Sequence, residues 1–268
     1  MFKYKFGVIG AGNMGMAITN GIVGGKIMTP QEIGIYVHSP EKVPAFEEKG
    51  FAVCKSSAEA YKNSQFVLLG VKPQIVSEVL DEISTQSYDG QIIISIVAGV
   101  SIKHIQSCFK DDVKVIRVMP NTPLLIGKGA SAFSRSNNVS DDEFEQVINI
   151  FSLMGSTEVI DESLMNEIIP VNGSSPAFVY YIINCMLESS VKNGIDPAVA
   201  QKLICDTFIG AANMITQTDT PIPQLIKNVC SPGGTTLEAI KVFDEHNLGL
   251  IFDEAFEKCI KRAYEIGK

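Results

Sequence analysis

The start of the chain carries the feature that most constrains the fold, a glycine turn between an apolar run and a helical pattern. Residues 3–9 predict a short buried strand, and Gly10-Ala11-Gly12-Asn13-Met14-Gly15 follows at once. In a dinucleotide-binding turn of this spacing, the first glycine permits the tight turn, the second lets a diphosphate approach and the third packs the helix on the strand. We predict that this N-terminal glycine turn, residues 10–15, binds a dinucleotide at the start of its helix. The alternative is a glycine-rich turn without a ligand.

Later segments predict a sheet of the Rossmann type. Apolar runs of strand length recur between helical patterns, and runs that are apolar throughout are typical of parallel strands buried on both faces. The predicted strands after the first are residues 33–37, 66–71, 91–96, 114–118, 130–134 and 157–160. We therefore expect residues 1–162 to form an α/β Rossmann domain with a mostly parallel, doubly wound sheet of about eight strands.

Helical patterns replace the strand patterns after Glu162. We expect residues 163–268 to form an all-α dimerisation domain, with the boundary inside one long helix near residues 163–169. The predicted helices are residues 175–192, 196–217, 222–229, 235–245 and 250–266. Residues 177–183 are apolar around the whole helix, so this helix must be enclosed. A small bundle cannot bury it alone, and we predict that a second subunit covers it in a homodimer.

Composition limits the partners and the compartment. The chain has 268 residues and a formal net charge of -8. Because it lacks clustered Lys and Arg, we predict no nucleic-acid or membrane partner. The six cysteines are scattered without a C-x-x-C pair, so we predict neither a disulfide framework nor a metal site. We find no secretory signal, and the longest apolar run is too short to span a bilayer. A cytoplasmic protein with reduced thiols is expected.

The segment after the second predicted strand favours NADP over NAD. NAD-specific folds present an acidic residue there to the ribose 2′-hydroxyl, whereas this chain has His38-Ser39-Pro40-Glu41-Lys42. Ser39 can donate to a 2′-phosphate and Lys42 can neutralise it, although Glu41 repels it unless it points to solvent. The alternative for Lys42 is a solvated surface residue. We predict NADPH as the cofactor, with NADH as the alternative.

Two loops at strand ends are predicted to line the cofactor. Lys72 precedes Pro73 at the sheet edge where ligands bind in such folds. The asparagine loop, Met119-Pro120-Asn121-Thr122-Pro123, is stiffened by its prolines. We predict that Asn121 and Thr122 orient the nicotinamide. The alternative is a rigid turn in which Asn121 makes local hydrogen bonds.

Small residues elsewhere suggest two further contacts. Ala98 and Gly99 follow a predicted strand and leave room for a flat ring. Ser56 and Ser57 precede a predicted helix, where they either cap the helix or meet the adenosine end of the cofactor. Capping is the favoured interpretation.

A second glycine turn lies in the helical half of the chain, at Cys230-Ser231-Pro232-Gly233-Gly234-Thr235-Thr236. Paired glycines allow positive φ and close approach to a ligand, and the helix that follows begins with unpaired N–H groups. We predict that this second glycine turn, residues 231–236, binds a small carboxylate. The alternative is an ordinary loop that ends in a Thr cap.

Five motifs, taken together and in order, resemble the pyrroline-5-carboxylate reductase family over essentially the full chain. They are Gly10-Ala11-Gly12-Asn13-Met14, Val71-Lys72-Pro73-Gln74, Met119-Pro120-Asn121-Thr122-Pro123, Gly173-Ser174-Ser175-Pro176-Ala177 and Ser231-Pro232-Gly233-Gly234-Thr235-Thr236. The last two are the specific ones. The resemblance implies NADPH-dependent reduction of 1-pyrroline-5-carboxylate to L-proline, the last step of proline biosynthesis. It also implies a helical domain that interlocks with its twin in a homodimer, and often a decamer of five dimers.

The resemblance further implies roles for individual residues. The implied cofactor contacts are Ile9, Gly10, Ala11, Gly12, Asn13, Met14, Ser39, Ser57, Gly70, Val71, Lys72, Pro73 and Asn121. The implied substrate contacts are Ser231, Gly233, Gly234, Thr235 and Thr236 at the carboxylate, and a turn with Ser174 and Ser175 that closes over the substrate. Two positions depart from the family. His38-Ser39-Pro40 stands where many members carry an Arg, which makes NADP preference less secure, and Tyr181 stands where some members place a Thr near the imine nitrogen.

The implied chemistry demands positioning more than acid–base groups. The nitrogen of a cyclic imine can be protonated before attack, and the three histidines fall at predicted solvated positions, so we assign no proton donor. One alternative is a β-hydroxyacid dehydrogenase, which would need a Lys soon after Gly173, whereas the next lysine is Lys192. An alternative of another class is an NADP-binding regulatory protein without turnover.

Overall fold

Eight strands form one sheet in the N-terminal part of the chain. The computed structural model describes residues 2–267. The strands are β1 Tyr4–Ile9, β2 Ile33–Tyr36, β3 Ala52–Val53, β4 Ser64–Leu69, β5 Ile92–Ser95, β6 Lys114–Met119, β7 Gly129–Arg135 and β8 Gly155–Val159. Their order is β3-β2-β1-β4-β5-β6-β7-β8. Among the described strands, β6 and β7 form the one antiparallel pair. The predicted Rossmann domain with a mostly parallel sheet is confirmed.

The strand order creates a switch point between β1 and β4. The chain runs outward from β1 through β2 and β3, then returns to the other side of β1 to add β4, β5 and β6. The register pairs Ile9 with Leu69 and Leu69 with Ser95, so the carboxyl ends of β1, β4 and β5 lie at one edge. In open parallel sheets, ligands bind outside the carboxyl ends at such a point.

Six helices cover the two faces of the sheet. They are α1 Asn13–Gly24, α2 Val43–Glu48, α3 Ser57–Asn63, α4 Val76–Ile83, α5 Ile102–Ser107 and α6 Asp141–Ser152. On one face, Leu68 belongs to a buried cluster with Ile18 of α1 and Phe151 of α6. On the other face, Val67 belongs to a cluster with Leu80 of α4. Burial on both faces explains why the strands are apolar throughout.

The segment between the sheet and the long helices differs from the prediction. Instead of one long helix near residues 163–169, the chain forms a 3₁₀ turn at Glu162–Leu164 and a π-helical turn at Ile169–Gly173. Pro170 explains the difference, because proline has no backbone N–H to donate within a continuous α-helix and its ring clashes with the carbonyl four residues earlier. The prediction of a continuous helix was wrong.

The described chain divides into two compact units. The first unit runs from the N-terminus to Pro176 and also contains the chain from Cys259 onward, and the helical unit is Ala177–Lys258. The boundary predicted between residues 162 and 163 lies inside the first unit, because Met165 and Ile169 share a buried cluster with Met119 of β6. As a division of function, that boundary stays a prediction.

The helices of the C-terminal part lie close to their predicted positions. They are α7 Ser175–Lys192, α8 Pro197–Gln217, α9 Ile222–Val229, α10 Thr235–Glu245 and α11 Leu248–Ile266, whose last turns belong to the first unit. Asp196 caps α8, since its carboxylate accepts hydrogen bonds from the N–H groups of Ala198 at 3.0 Å and Val199 at 3.1 Å.

The helical unit buries few of its own apolar side chains. Within Ala177–Lys258, Ala200 and Ile204 are the only buried hydrophobic residues, and α7 has no buried residue. Tyr181 is 73% exposed. The apolar surface of α7 that was predicted to need a partner is therefore left open by its own chain. No helix in the described chain combines the length and apolarity that crossing a membrane requires.

Candidate functional site

The backbone of the N-terminal glycine turn requires two of its glycines for close packing. Gly10 has φ of 101°, and a Cβ there would lie 2.6 Å from the carbonyl carbon of Gly70. A Cβ at Gly15 would lie 2.3 Å from the carbonyl oxygen of Gly10. A Cβ at Gly12 would meet nothing within 4 Å. The backbone at Gly12 is thus open, as the approach of a diphosphate requires.

The helix that follows this turn offers free N–H groups at its start. Gly12 is the N-cap of α1, no side chain caps the helix, and its first turn holds no acidic residue. Gly12 and Asn13 are exposed, and Ala11 and Met14 are half-buried. Unpaired N–H groups at the positive end of a helix dipole attract anions. The geometry suits the diphosphate of a dinucleotide.

The segment after β2 leaves two groups available for a 2′-phosphate. Ser39 is half-buried and precedes the 3₁₀ turn Pro40–Lys42, and Lys42 is exposed. Neither side chain has a hydrogen bond or ion pair within residues 2–267. Glu41 is also exposed, which is compatible with a carboxylate that points to solvent. The arrangement supports the predicted preference for NADP.

The end of β4 lies directly against the N-terminal glycine turn. Gly70 donates its N–H to the carbonyl of Ile9 at 2.9 Å. Val71 and Pro73 are half-buried, while Lys72 is exposed and has no ion pair in the described part of the chain. Lys72 thus lies at the same sheet edge as the N-terminal glycine turn, with an ammonium group that is available to a negatively charged ligand.

Two predicted cofactor residues are already committed to the fold. Ile9 is fully buried, and its carbonyl accepts from Gly70. Ser57 is also fully buried, and its hydroxyl donates to Glu82. Ser56 accepts from the N–H of Glu59 at 3.0 Å and caps α3. Ser56 therefore caps α3, as the favoured interpretation expected, while the predicted cofactor contacts of Ile9 and Ser57 stay predictions.

The asparagine loop is held by its own side chain. Asn121 is 8% exposed. Its Oδ1 accepts from the N–H of Ala130 at 2.9 Å, and its Nδ2 donates to the carbonyl of Asn172 at 3.2 Å. The Asn121 side chain thus joins the loop to the start of β7 and to Asn172, which is 51 residues away in the chain. Contact between the nicotinamide and the rest of the loop stays a prediction.

Asn172 is a residue of this region that the sequence analysis did not single out. Its Nδ2 donates to the carbonyls of Met119 at 2.7 Å and Ala130 at 3.0 Å. It directly precedes Gly173 of the predicted substrate turn, and that proximity to a motif was the only sequence clue to it. The partners of its amide lie 53 and 42 residues away in the chain.

The space predicted beside Ala98 and Gly99 is occupied by the C-terminal end of α11. Gly99 has φ of 80°, and a Cβ there would lie 2.5 Å from the carbonyl oxygen of Ala263. The absence of a side chain at Gly99 therefore admits a helix backbone. The expectation that this glycine makes room for a flat ring was wrong.

The turn at Gly173 engages both of its serines within the first unit. The Ser175 hydroxyl donates to the carbonyl of Pro170 at 2.6 Å and also lies against that of Val171. The Ser174 hydroxyl and the Cys259 thiol are 3.3 Å apart. Ser175 therefore closes the π-helical turn on itself, and its predicted contact with the substrate stays a prediction, as does that of Ser174.

A buried arginine attaches the segment after the sheet to β6. Arg117 donates to Glu162 at 3.0 Å and to Asn166 at 2.6 Å. Burial lowers the pKa of Arg117, while the hydrogen bond and charge of Glu162 act in the opposite direction. The N–H of Ile102 also donates to Glu162, at 3.2 Å. This ion pair holds the 3₁₀ turn beside the strand that leads into the asparagine loop.

The second glycine turn presents uncommitted donors. Gly233 has φ of 70°, and Gly234 donates its N–H to the carbonyl of Ser231 at 2.9 Å. Gly234 is the N-cap of α10, which has no side-chain cap. The hydroxyls of Ser231, Thr235 and Thr236 make no hydrogen bond within the chain as described. The turn therefore combines free hydroxyls with an open helix N-terminus, which suits a carboxylate.

The one acidic residue in the first turn of α10 is neutralised. Glu238 forms an ion pair with Lys241 at 2.6 Å. Tyr181, which stands where some relatives were expected to place a Thr, is 73% exposed and has no hydrogen bond among the described residues. No role is assigned to it.

Two family models together match most of the chain. The one described as pyrroline-5-carboxylate reductase dimerisation matches residues 162–266, and it begins next to the predicted domain boundary. The one described as NADP oxidoreductase coenzyme F420-dependent matches residues 5–99. The second match contains the N-terminal glycine turn and Lys72.

Known proteins resemble the chain over its full length. The pyrroline-5-carboxylate reductase of Escherichia coli (strain K12) is 35% identical, over 98% of each chain. That of Methanosarcina acetivorans is 32% identical, over 100% of each chain. The crystal structure of Plasmodium falciparum pyrroline carboxylate reductase with NADP bound has a TM-score of 0.91 at 27% identity, and covers 100% of both chains.

These relatives decide between the enzyme classes considered. The predicted resemblance is confirmed, since relatives that match the chain over nearly its full length are pyrroline-5-carboxylate reductases, and they support neither alternative, a β-hydroxyacid dehydrogenase or a regulatory protein without turnover. The chain therefore belongs to the pyrroline-5-carboxylate reductase family, oxidoreductases that reduce 1-pyrroline-5-carboxylate to proline with NAD(P)H.

Proposed function

We propose that this chain reduces 1-pyrroline-5-carboxylate to L-proline with NADPH by binding two anionic groups at two glycine turns. The N-terminal glycine turn holds the cofactor diphosphate, and the second glycine turn holds the substrate carboxylate. One observation carries the proposal: each turn leads into a helix whose N-terminus has no side-chain cap. Such a helix start is a ready site for an anion.

The cofactor is held by residues at the carboxyl edge of the sheet. Gly12 and Asn13 offer backbone N–H groups to the diphosphate, while Ser39 and Lys42 meet the 2′-phosphate and favour NADPH over NADH. Lys72 contributes a further positive charge. When bound, the nicotinamide supplies the hydride that the reduction consumes. The asparagine loop, at the end of β6, is the candidate for contact with the nicotinamide end.

The substrate is oriented through its carboxylate. Thr235 and Thr236 donate their hydroxyls, and the free N–H groups at the start of α10 add to them. Hydrogen bonds to a charged group stabilise a complex by about 1.5–3 kcal/mol each. Because the imine carbon is fixed relative to the carboxylate by a rigid five-membered ring, holding the carboxylate also places the carbon that is reduced.

The reaction needs no strong acid or base from the protein. A hydride adds to the C5 carbon of the protonated imine, the C=N double bond becomes single, and the nitrogen keeps its proton as the amine of proline. The protein contributes by aligning the two reactants, which can lower a barrier by several kcal/mol. We accordingly assign no proton donor.

We also infer the assembly and compartment of the enzyme. The match to a dimerisation family and the open apolar surface of α7 support a homo-oligomer built from dimers, and we propose a decamer of five dimers as its full form. The six cysteines are free thiols, which suits the cytoplasm as the compartment. Light scattering of the purified protein gives the mass that tests the decamer.

The carboxylate assignment is tested with isosteric variants. Thr235→Val and Thr236→Val remove only hydroxyl groups, and each is expected to raise the KM for 1-pyrroline-5-carboxylate about 10-fold or more. The KM for NADPH stays close to the wild-type value. The oxidation of NADPH is followed by absorbance while the concentration of each substrate is varied in turn. The two series give the two KM values.

A matched change in the other turn serves as the control. Gly12→Ala fills the open space beside the diphosphate without a clash inside the protein, so it raises the KM for NADPH and leaves that of the imine nearly unchanged. Equal increases of both constants in the threonine variants would contradict the assignment of the carboxylate to the second glycine turn.

A further inference from the structure

We propose that Asn172 is a positioning residue for hydride transfer, because its side chain fixes the asparagine loop to the turn that begins α7. The proposal rests on the proposed function in one respect, the placement of the asparagine loop at the nicotinamide end of the cofactor. Every contact that carries it lies within the first unit.

The amide of Asn172 bridges two strands where they separate. Its Nδ2 donates to the carbonyl of Met119, the last residue of β6, at 2.7 Å, and to the carbonyl of Ala130, near the start of β7, at 3.0 Å. Asn121 completes the arrangement, since it joins the N–H of Ala130 at 2.9 Å and the carbonyl of Asn172 at 3.2 Å. The two asparagines replace the strand hydrogen bonds that the loop interrupts.

This site demands an amide with two donors. Met119 and Asn121 are 6% and 8% exposed, so solvent does not easily satisfy the main-chain groups beside them, and buried polar groups need partners. An Asn side chain offers two N–H donors on one nitrogen. Both are used, and the Oδ1 of Asn172 is buried without a partner in the described chain. The donors of the amide are therefore what hold it in place.

Because of its place in the backbone, Asn172 links the asparagine loop to the turn at Gly173. Asn172 lies in the π-helical turn Ile169–Gly173, where the N–H of Ser174 donates to the carbonyl of Ile169 at 2.7 Å. Turns of this kind occur frequently at functional sites. The hydrogen bonds of Asn172 therefore fix the distance between the asparagine loop and the Gly173-Ser174-Ser175 turn.

Loss of the link is expected to displace the loop without disturbing the diphosphate site. β1 and β6 are separated in the sheet by β4 and β5, so the N-terminal glycine turn lies roughly 14 Å from the asparagine loop at the usual strand spacing. A small displacement at the reacting end costs much in rate, because hydride transfer depends on alignment. Binding of the distant phosphates is insensitive to it.

The experiment compares Asn172→Ala with Asn138→Ala in the full-length enzyme. Asn138 is a matched control, since it is also half-buried, donates to a main-chain carbonyl, that of Asp112, at 2.8 Å, and lies away from both glycine turns. Two kinetic quantities are measured, the kcat and the isotope effect on kcat with NADPH deuterated at both hydrogens of C4. Two dissociation constants are measured as well, that of NADPH from its fluorescence and that of 2′-phospho-ADP-ribose, which lacks the nicotinamide, from its displacement of NADPH.

In Asn172→Ala we expect kcat to fall about 10- to 100-fold and the isotope effect to exceed that of the wild type. The Kd for NADPH weakens, while that for 2′-phospho-ADP-ribose stays at the wild-type value. Asn138→Ala keeps all wild-type values. A variant that is merely less folded loses kcat in proportion to its active fraction, with an unchanged isotope effect and equal changes in both Kd values.

An unchanged isotope effect with equal changes in both Kd values, as in a less folded variant, would overturn the proposal if Asn172→Ala showed it. Should Asn172→Ala fail to fold, Asn172→Ser keeps one donor, and a wild-type isotope effect in that variant would overturn it equally. Failure of the proposed function is distinguishable, because then the wild-type enzyme itself would not oxidise NADPH with 1-pyrroline-5-carboxylate.

Discussion

The two units of the molecule bury their apolar residues in different ways. In the first unit, Leu68, Ile94 and Val115 are fully buried by helices of the same chain. In the helical unit, Ile209 is 62% exposed and Leu250 is 66% exposed. Extensive apolar surface of this kind marks a contact with another protein. The first unit can therefore complete its core alone, whereas the helical unit needs a second copy of the chain.

The two glycine turns belong to different units. The N-terminal glycine turn lies in the first unit, where Gly10 packs on Gly70. The second glycine turn lies in the helical unit. Each turn keeps one open glycine, since a Cβ on Gly12 or on Gly233 would meet nothing within 4 Å. We propose that the first unit binds the cofactor and that the helical unit binds the substrate carboxylate.

The largest effect is expected from charges placed on α7. Ile182→Glu with Met186→Glu puts two carboxylates on one side of that helix, at residues that are 36% and 43% exposed in the chain itself. We expect the oligomer to dissociate and reductase activity to be lost, because buried unpaired charges are strongly unfavourable. Light scattering gives the mass.

Val159→Glu is the control, since Val159 is 60% exposed but belongs to the first unit. It should leave both mass and activity unchanged. An active oligomer of wild-type mass in the α7 double variant would break the comparison between the units.

The second largest effect is expected from a substitution that creates a cavity in the first unit. Leu68→Ala removes a fully buried side chain and is expected to lower the free energy of unfolding by about 2–5 kcal/mol. The loss should be the same at every protein concentration, because the first unit does not rely on a partner. Denaturant unfolding at several concentrations measures it. Leu153→Ala, at a residue 54% exposed, should change stability by no more than about 0.5 kcal/mol.

The packing of α11 on the first unit gives the third prediction. Gly99→Ala is expected to cost about 1–3 kcal/mol, because Gly99 has φ of 80° and a Cβ would lie 2.5 Å from the Ala263 carbonyl. Gly90→Ala is the matched control, since Gly90 has φ of 96° with open space around it. Gly90→Ala should lose only the free energy of unfolding that the strained backbone costs. Equal losses in the two variants would mean that α11 does not pack closely on Gly99.

The smallest effect concerns acid stability at the edge of the first unit. Hydrogen bonds from Lys5 and Thr29 lower the pKa of Glu32 from 4.5 to about 2. A lowered pKa in the folded state stabilises the protein above pH 4.5, and this contribution disappears as the pH falls towards 2. Glu32→Gln should lower the free energy of unfolding at neutral pH. The difference in this free energy between the variant and the wild type should shrink as the pH falls towards 2. Glu47→Gln, at an exposed residue, should behave like wild type throughout.

Local patterns predicted most of the elements correctly. Predicted helices at residues 175–192, 222–229 and 235–245 coincide with the observed ones, because glycine, proline and capping residues mark their ends. The strand Ala52–Val53 escaped prediction, since two residues carry no periodicity. The π-helical turn at Ile169–Gly173 also escaped prediction, because a pattern of apolar residues does not show the break that Pro170 makes in an α-helix.

The candidate site divides in the same way between local and distant causes. The N-terminal glycine turn was predictable because its strand, glycines and helix are adjacent in the chain. The hydrogen bonds of Asn121 and Ser57 and the packing of Gly99 were not predictable, since their partners Asn172, Glu82 and Ala263 lie far away in sequence. A side chain that a motif assigns to a ligand can instead be used by the fold, and only the three-dimensional arrangement distinguishes these cases.

The most direct test of the central claim follows the hydrogen itself. The enzyme is incubated with 1-pyrroline-5-carboxylate and NADPH that carries deuterium at both hydrogens of C4, and the product is analysed by mass spectrometry and NMR. The account predicts L-proline that carries one deuterium, on C5, for each NADPH consumed. Proline without deuterium, or NADPH oxidised without formation of proline, would contradict it.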